Sequence, residues 1–142
     1  MTDLPDEFEP LFRTSPYLEM IGPIYNKKIV KSVEDVSSLK GIVIGFFAQK
    51  KHCNARGLVH GGIVSGIADI ALGYNASLSK DPPVSMVTTN LSIDYVGAIK
   101  MEEWVEVHVD VQKVGSRVAF ANCYFVVKNK RLARASGVFN LV

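Results

Sequence analysis

Asn54-Ala55-Arg56-Gly57-Leu58-Val59-His60-Gly61-Gly62-Ile63-Val64-Ser65-Gly66-Ile67-Ala68-Asp69-Ile70-Ala71-Leu72-Gly73 begins as a polar loop and passes through a glycine pair. It then becomes a long apolar segment whose one charged side chain before Lys80 is Asp69. Ile63, Ile67, Ile70, Ala71 and Tyr74 recur at helical spacing, while Val64, Ala68 and Leu72 fill much of the other side. The period predicts a helix over 60–79, and its apolar neighbours on nearly every side predict that it is buried. A lone carboxylate in such a helix costs free energy unless it is paired or hydrogen-bonded, so Asp69 calls for a reason.

Three features of the stretch translate into chemistry. Gly61 and Gly62 leave backbone N–H groups sterically open at the positive end of the helix, where an anion or a developing oxyanion is stabilised. Gly61 is the expected donor, because a side chain there would crowd a substrate. A buried carboxylate is pushed toward the range useful for a general base, which makes Asp69 the candidate catalytic group. Nine residues separate His60 from Asp69, a helical rise of about 13.5 Å and roughly half a turn out of phase. The two side chains should not meet within one chain. If both belong to one site, a second copy of the chain is the direct way to unite them, so the spacing points to a dimer with shared sites.

The rest of the chain reads as one α+β domain of 142 residues, long enough for a sizeable core. Within residues 1–15, Pro5 to Arg13 reads as a short helix with Phe8, Leu11 and Phe12 on one face, stopped by Ser15-Pro16. Met20 to Val33 and Gly41 to Gln49 read as two strands, separated by a polar turn over Glu34 to Lys40. After the helix, Val84 to Val96 is extended. Val105, Val107, Val109 and Val111 then alternate with polar residues in a half-buried strand. Val114-Gly115-Ser116-Arg117 turns into Val118 to Val127, Asn129-Lys130 turns again, and Leu132 to Val142 closes the sheet. Two strands, a long helix and four strands in an antiparallel meander result. A net charge of +2 is too small to point to nucleic acid. The apolar runs fall short of the ~18 to 20 residues a membrane span needs. An acidic N-terminus without a hydrophobic signal core suggests a cytoplasmic protein, a compartment that favours free thiols at Cys53 and Cys123.

Asn54, His60-Gly61-Gly62 and Asp69, an Asn six residues before the HGG histidine and an acid nine after it, resemble the signature of hotdog-fold thioesterases. The branch is the PaaI-like one of the 4-hydroxybenzoyl-CoA thioesterase superfamily, and the likeness runs from about residue 40 to the C-terminus. It implies a six-stranded antiparallel sheet wrapped round the central helix. It also implies hydrolysis of an acyl-coenzyme A thioester by a homodimer, paired further into a tetramer, with no metal or redox cofactor. The resemblance assigns Asp69 to activating the attacking water, as general base or as a nucleophile. It assigns His60 to orienting the turn and the thioester, and Asn54 to placing the water or the carbonyl. Thr88, nineteen residues after Asp69, stands where this branch often carries Ser or Thr and would hold the water or Asp69 in register.

Each residue also has a plainer reading. His60 could simply cap the helix, Asn54 could be a turn residue, Thr88 a strand former, and Gly62 a requirement of the turn. Gly66 and Gly73 each cost about 1 kcal/mol of helix propensity and read as close packing against the sheet. Arg56, Arg117 and the run Lys128, Lys130, Arg131 and Arg134 are a solvated basic rim in which some residues could meet the coenzyme's phosphates. Adjacent His52 and Cys53 rarely aim at one point, which speaks against a Cys–His nucleophile. Three His and two Cys show no zinc-ligand spacing. Two rivals share the fold: a domain that binds acyl thioesters or another apolar ligand without hydrolysing them, and a hydratase, whose acid belongs nearer the helix mouth.

Overall fold

In a computed structural model, which describes residues 3–30 and 39–142, the chain runs β1 (Glu9–Pro10), α1 (Pro16–Ile21), β2 (Tyr25–Val30) and β3 (Leu39–Phe47). It continues through a single 3-10 turn (Lys50–His52) into α2 (Gly61–Leu78), β4 (Met86–Tyr95), β5 (Trp104–Val114), β6 (Val118–Val127) and β7 (Lys130–Leu141). The strands form one antiparallel sheet in the order β1-β2-β3-β5-β6-β7-β4. This is the hotdog fold that the sequence implies, with a seventh strand added by the two-residue β1, where Glu9 lies opposite Asn26. The turn expected over Glu34 to Lys40 lies outside the described residues up to 38; Leu39 and Lys40 already belong to β3. The last residues of the first expected strand, 31–33, also lie outside them.

Helix α2 packs across β3, β5, β6, β7 and β4, and this crossing accounts for a departure from the expected meander. Strands β5, β6 and β7 do follow one another, but β4 pairs with β7 at the far edge while β5 returns to pair with β3. The helix carries the chain from β3 over the sheet to that edge. Val64, Ile67, Ala68, Ala71, Leu72 and Ala76 bury one face of α2 against Phe46, Phe125 and Val107. Each large aliphatic side chain so buried contributes about 1.5–3 kcal/mol. Asn75, also buried, accepts the Ile42 N–H (2.9 Å) and donates to the Ala71 carbonyl (2.8 Å), tying the helix to β3.

The N-terminal region corrects the sequence reading. Pro5 to Arg13 is not helical: it holds a turn and β1. Ser15-Pro16 starts a helix instead of stopping one. The Ser15 hydroxyl accepts the Leu18 N–H (3.2 Å) and Pro16 opens the first turn of α1. Serine caps well, and proline at the first helical position lacks only an N–H that would have been unpaired. Phe8 instead lies buried edge-on against Trp104 (centroids 4.9 Å apart), and Phe12 meets Tyr74 (5.4 Å). Gly73 fits against Phe139 of β7, as expected; Gly66 instead lies under Tyr17 of α1, whose hydroxyl occupies the place of a Cβ.

Candidate active site

The loop before α2 is stitched down from three sides. Asn54 Oδ1 accepts the N–H groups of Arg56 (2.9 Å) and Leu58 (3.2 Å), and its own N–H donates to the Leu58 carbonyl (2.8 Å). Its acceptor is thus committed to a side-chain-mimicked turn, while among the described residues its amide NH2 has no acceptor. Leu58 bridges Lys100, and the Val59 N–H donates to Ile99 (2.8 Å), so the β4–β5 connection lies under the loop. Buried His52 anchors the third side. Its Nδ1 accepts the Gln49 N–H (2.9 Å), which leaves Nε2 to donate to the Ile21 carbonyl (2.6 Å), and its own carbonyl accepts the His60 N–H (2.8 Å). Cys53 Sγ donates to the Gln49 carbonyl, away from that ring, so His52 and Cys53 form no catalytic pair. Both cysteines are free thiols, and burial pushes Cys123 up to about 12.

His60 caps α2, its Nδ1 accepting the Gly62 N–H (2.8 Å) with extended backbone at φ −66° and ψ 137°. The plainer readings of His60 and Gly62 therefore both describe the geometry. The N–H of Gly61, between them, has no acceptor among the described residues. The Tyr95 hydroxyl donates to the Gly61 carbonyl (2.9 Å), and a Cβ on Gly61 would stand 3.2 Å from that ring. The tyrosine is thus what a side chain at 61 would first meet.

Asp69 departs from its expected burial. Only one face of α2 is covered by the sheet, and Asp69 lies half-buried on the other. The Thr88 hydroxyl donates to Asp69 Oδ1 (2.6 Å), which leaves Oδ2 without a partner among the described residues. Both residues line a cavity of about 600 Å³ walled by Ile70, Tyr74, Val84, Met86 and Phe139, with Arg13 also on its lining. The guanidinium of Arg13 lies over the Tyr74 ring, 5.4 Å from its centroid.

The chain does not unite the predicted set. Asp69 and Thr88 meet; Asn54, His60, Gly61 and Gly62 gather at the start of α2; and the Asp69 cavity includes none of these four. Arg56 is exposed beside Asn54, and Arg117 lies exposed in the β5–β6 turn. Of the basic run, Arg134 pairs with Asp94 (2.8 Å) and Arg131 stacks on Tyr124 (3.8 Å), so both are already engaged. Sequence reasoning missed Tyr95, although its place in the alternation Leu91, Ile93, Tyr95 signalled the helix side of β4. Arg13 and Tyr74 carried no comparable signal, because the misread N-terminal helix hid their meeting.

A curved antiparallel sheet around one helix, with glycines at the helix start and a carboxylate at its middle, defines a hotdog domain of thioesterase type. The chain belongs to the thioesterase superfamily, whose pattern matches residues 56–133. A Pseudomonas aeruginosa protein that bears the name "Putative esterase" is 38% identical over 99% of both chains. A Caenorhabditis elegans protein also so named is 26% identical over 87% of this chain and 73% of its own. Among solved structures, a variant of the phenylacetic acid degradation protein PaaI from Thermus thermophilus has the same fold. Its TM-score is 0.74 at 18% identity, covering 90% of this chain and 100% of that one. A hypothetical thioesterase of Streptococcus pneumoniae, solved with coenzyme A, gives 0.73 at 15%, covering 86% and 90%. Among the described residues no helix is long and apolar enough to cross a membrane.

Proposed function

We propose that this chain hydrolyses acyl-coenzyme A thioesters to the free acid and coenzyme A. The observation that carries the reading is the Thr88–Asp69 hydrogen bond on the wall of the cavity. It fixes one carboxylate oxygen and leaves the other free to take a proton from water. In the proposed step, Asp69 accepts that proton while the water oxygen adds to the thioester carbon. The carbonyl oxygen, becoming negative, is held by the Gly61 N–H at the positive end of α2. Collapse of the tetrahedral intermediate breaks the C–S bond, and the proton on Asp69 passes to the departing thiolate. The Asn54 amide places the water or the carbonyl, and His60 and Gly62 keep the turn in shape. No metal or redox cofactor enters this scheme.

The site so described needs two chains, Gly61 from one and Asp69 from the other. The helical rise between His60 and Asp69 supports this, as does β4, an edge strand with Val87 exposed on it and Val96 exposed just past its end. The proposed assembly is therefore a homodimer with shared sites, paired into a tetramer and working in the cytoplasm. The acyl group would occupy the Asp69 cavity and the coenzyme arm the surface, where Arg56 and Arg117 are exposed and, among the described residues, without an ion-pair partner for their guanidinium groups. The coenzyme A bound by the Streptococcus pneumoniae protein of like fold agrees with this choice of substrate.

Thiol release from short aliphatic, long aliphatic and aromatic acyl-coenzyme A tests the proposal, with wild type beside Asp69→Asn. The expected result is turnover by wild type and a loss of about 10²-fold or more in the variant. Slow turnover at the same rate in both would remove Asp69 from the chemistry and leave a non-hydrolytic acyl-thioester-binding protein as the better reading.

A further inference from the structure

Thr88 and Tyr95 are seven residues apart on β4, and in a regular strand an odd separation sends two side chains to opposite faces. Both nevertheless reach α2, Thr88 at Asp69 and Tyr95 at Gly61. The register with β7 explains how. Thr88 lies opposite Phe139 and Asn90 opposite its neighbour Val138, so Thr89 is an extra, unopposed residue. Before this bulge Met86 turns to the core; after it, Leu91 and Ile93 do. The parity of the strand reverses at Thr89, and a bulge beside a site commonly re-aims a side chain in this way.

We infer that Tyr95 is a positioning residue whose hydroxyl, turned to α2 by the bulge at Thr89, holds the Gly61–Gly62 peptide and, across the Gly61 Cα, steadies the preceding His60–Gly61 peptide that carries the oxyanion donor. Packing within the chain does not account for the residue: Tyr95 is 57% exposed there on an edge strand, and its hydroxyl bonds the first carbonyl of the helix. The ring also covers Gly61 from the side where a Cβ would stand, which fixes the open flank of that residue. One strand thereby sets both groups that the proposed chemistry needs, through two hydrogen bonds on opposite sides of the bulge. In a dimer with shared sites, the two belong to different sites, so each β4 would position the oxyanion donor of one and the carboxylate of the other. This inference rests on Gly61 N–H as that donor.

The test compares Tyr95→Phe and Tyr95→Leu with wild type on the acyl-coenzyme A turned over fastest, alongside thermal melting. Phenylalanine keeps the covering ring and loses only the hydrogen bond. Its expected signature is a kcat lower by about tenfold, with KM within about twofold and the melting temperature unchanged. Leucine, losing the ring as well, should show the same fall in kcat and a raised KM. A wild-type kcat in Tyr95→Phe, or a loss confined to KM, would overturn the role of Tyr95. A failure of the underlying reading looks different: wild type then releases no thiol, or deleting the Gly61 N–H proves harmless.

Discussion

At the scale of single residues, Gly61 permits a chemical deletion that few oxyanion donors allow. His60 is already extended at ψ 137°, the conformation a following proline requires, and proline is favoured at the first position of a helix. Gly61→Pro therefore keeps α2 and removes the N–H, whereas Gly61→Ala adds a Cβ and keeps it. The Cβ that both variants share stands 3.2 Å from the Tyr95 ring, a tight contact with an exposed side chain that can yield. We expect kcat to fall about 10²- to 10³-fold in the proline variant relative to the alanine variant, the scale of a lost oxyanion donor. Steady-state kinetics on the two proteins decides it, and equal values would put the oxyanion elsewhere. The readings of His60 as a cap and Asn54 as a turn residue proved geometrically right, yet they do not compete with function. A cap that orders the helix start through the Gly62 N–H leaves the Gly61 N–H without an acceptor among the described residues.

At the scale of elements, β4 decides more than its sequence reveals. Val84 to Val96 reads as one extended run, and strict alternation would have forced a choice between Thr88 and Tyr95. The bulge removes that choice, and nothing in Thr88-Thr89-Asn90 announces it, since the slip exists only relative to β7. Deleting Thr89 should restore regular pairing and turn one of the two side chains away from α2. The expected outcome is a protein that still melts cooperatively but has lost at least tenfold in kcat, the share of one anchoring hydrogen bond. Circular dichroism melting with thiol-release kinetics checks it; an active deletion variant would mean that the helix is held in place without this strand. The misread N-terminus teaches the reverse lesson. Ser15-Pro16 carried a legible start signal, and the apolar spacing of Phe8, Leu11 and Phe12 outweighed it, because three aromatic and aliphatic residues can pack equally well from an extended segment.

At the scale of the whole molecule, the distance between the two halves of the site makes a prediction about stoichiometry. If Gly61 and Asp69 act across a dimer, Gly61→Pro and Asp69→Asn are each nearly inactive alone but complement each other. Random assembly of the two chains makes half the dimers mixed, and each mixed dimer holds one intact site and one doubly altered site. Co-expressed chains carrying different tags should thus recover about a quarter of the wild-type rate. No recovery in purified mixed dimers would place each site within one chain. The free edge of β4 and the uncovered face of α2 around Asp69 are where the second chain would have to meet the first.

The amino-acid sequence by itself determined the central helix, most of the strands and the residue types of the site. Those depend on periodicity, on glycine and proline, and on chemistry confined to a few neighbours in the chain. The tertiary structure alone decided the order of strands in the sheet, the bulge at Thr89, the exposure of Asp69 and the hydrogen bond from Tyr95 to Gly61. Each of these is a relation between segments distant in the chain, set by which surfaces pack together, and local patterning carries no record of it.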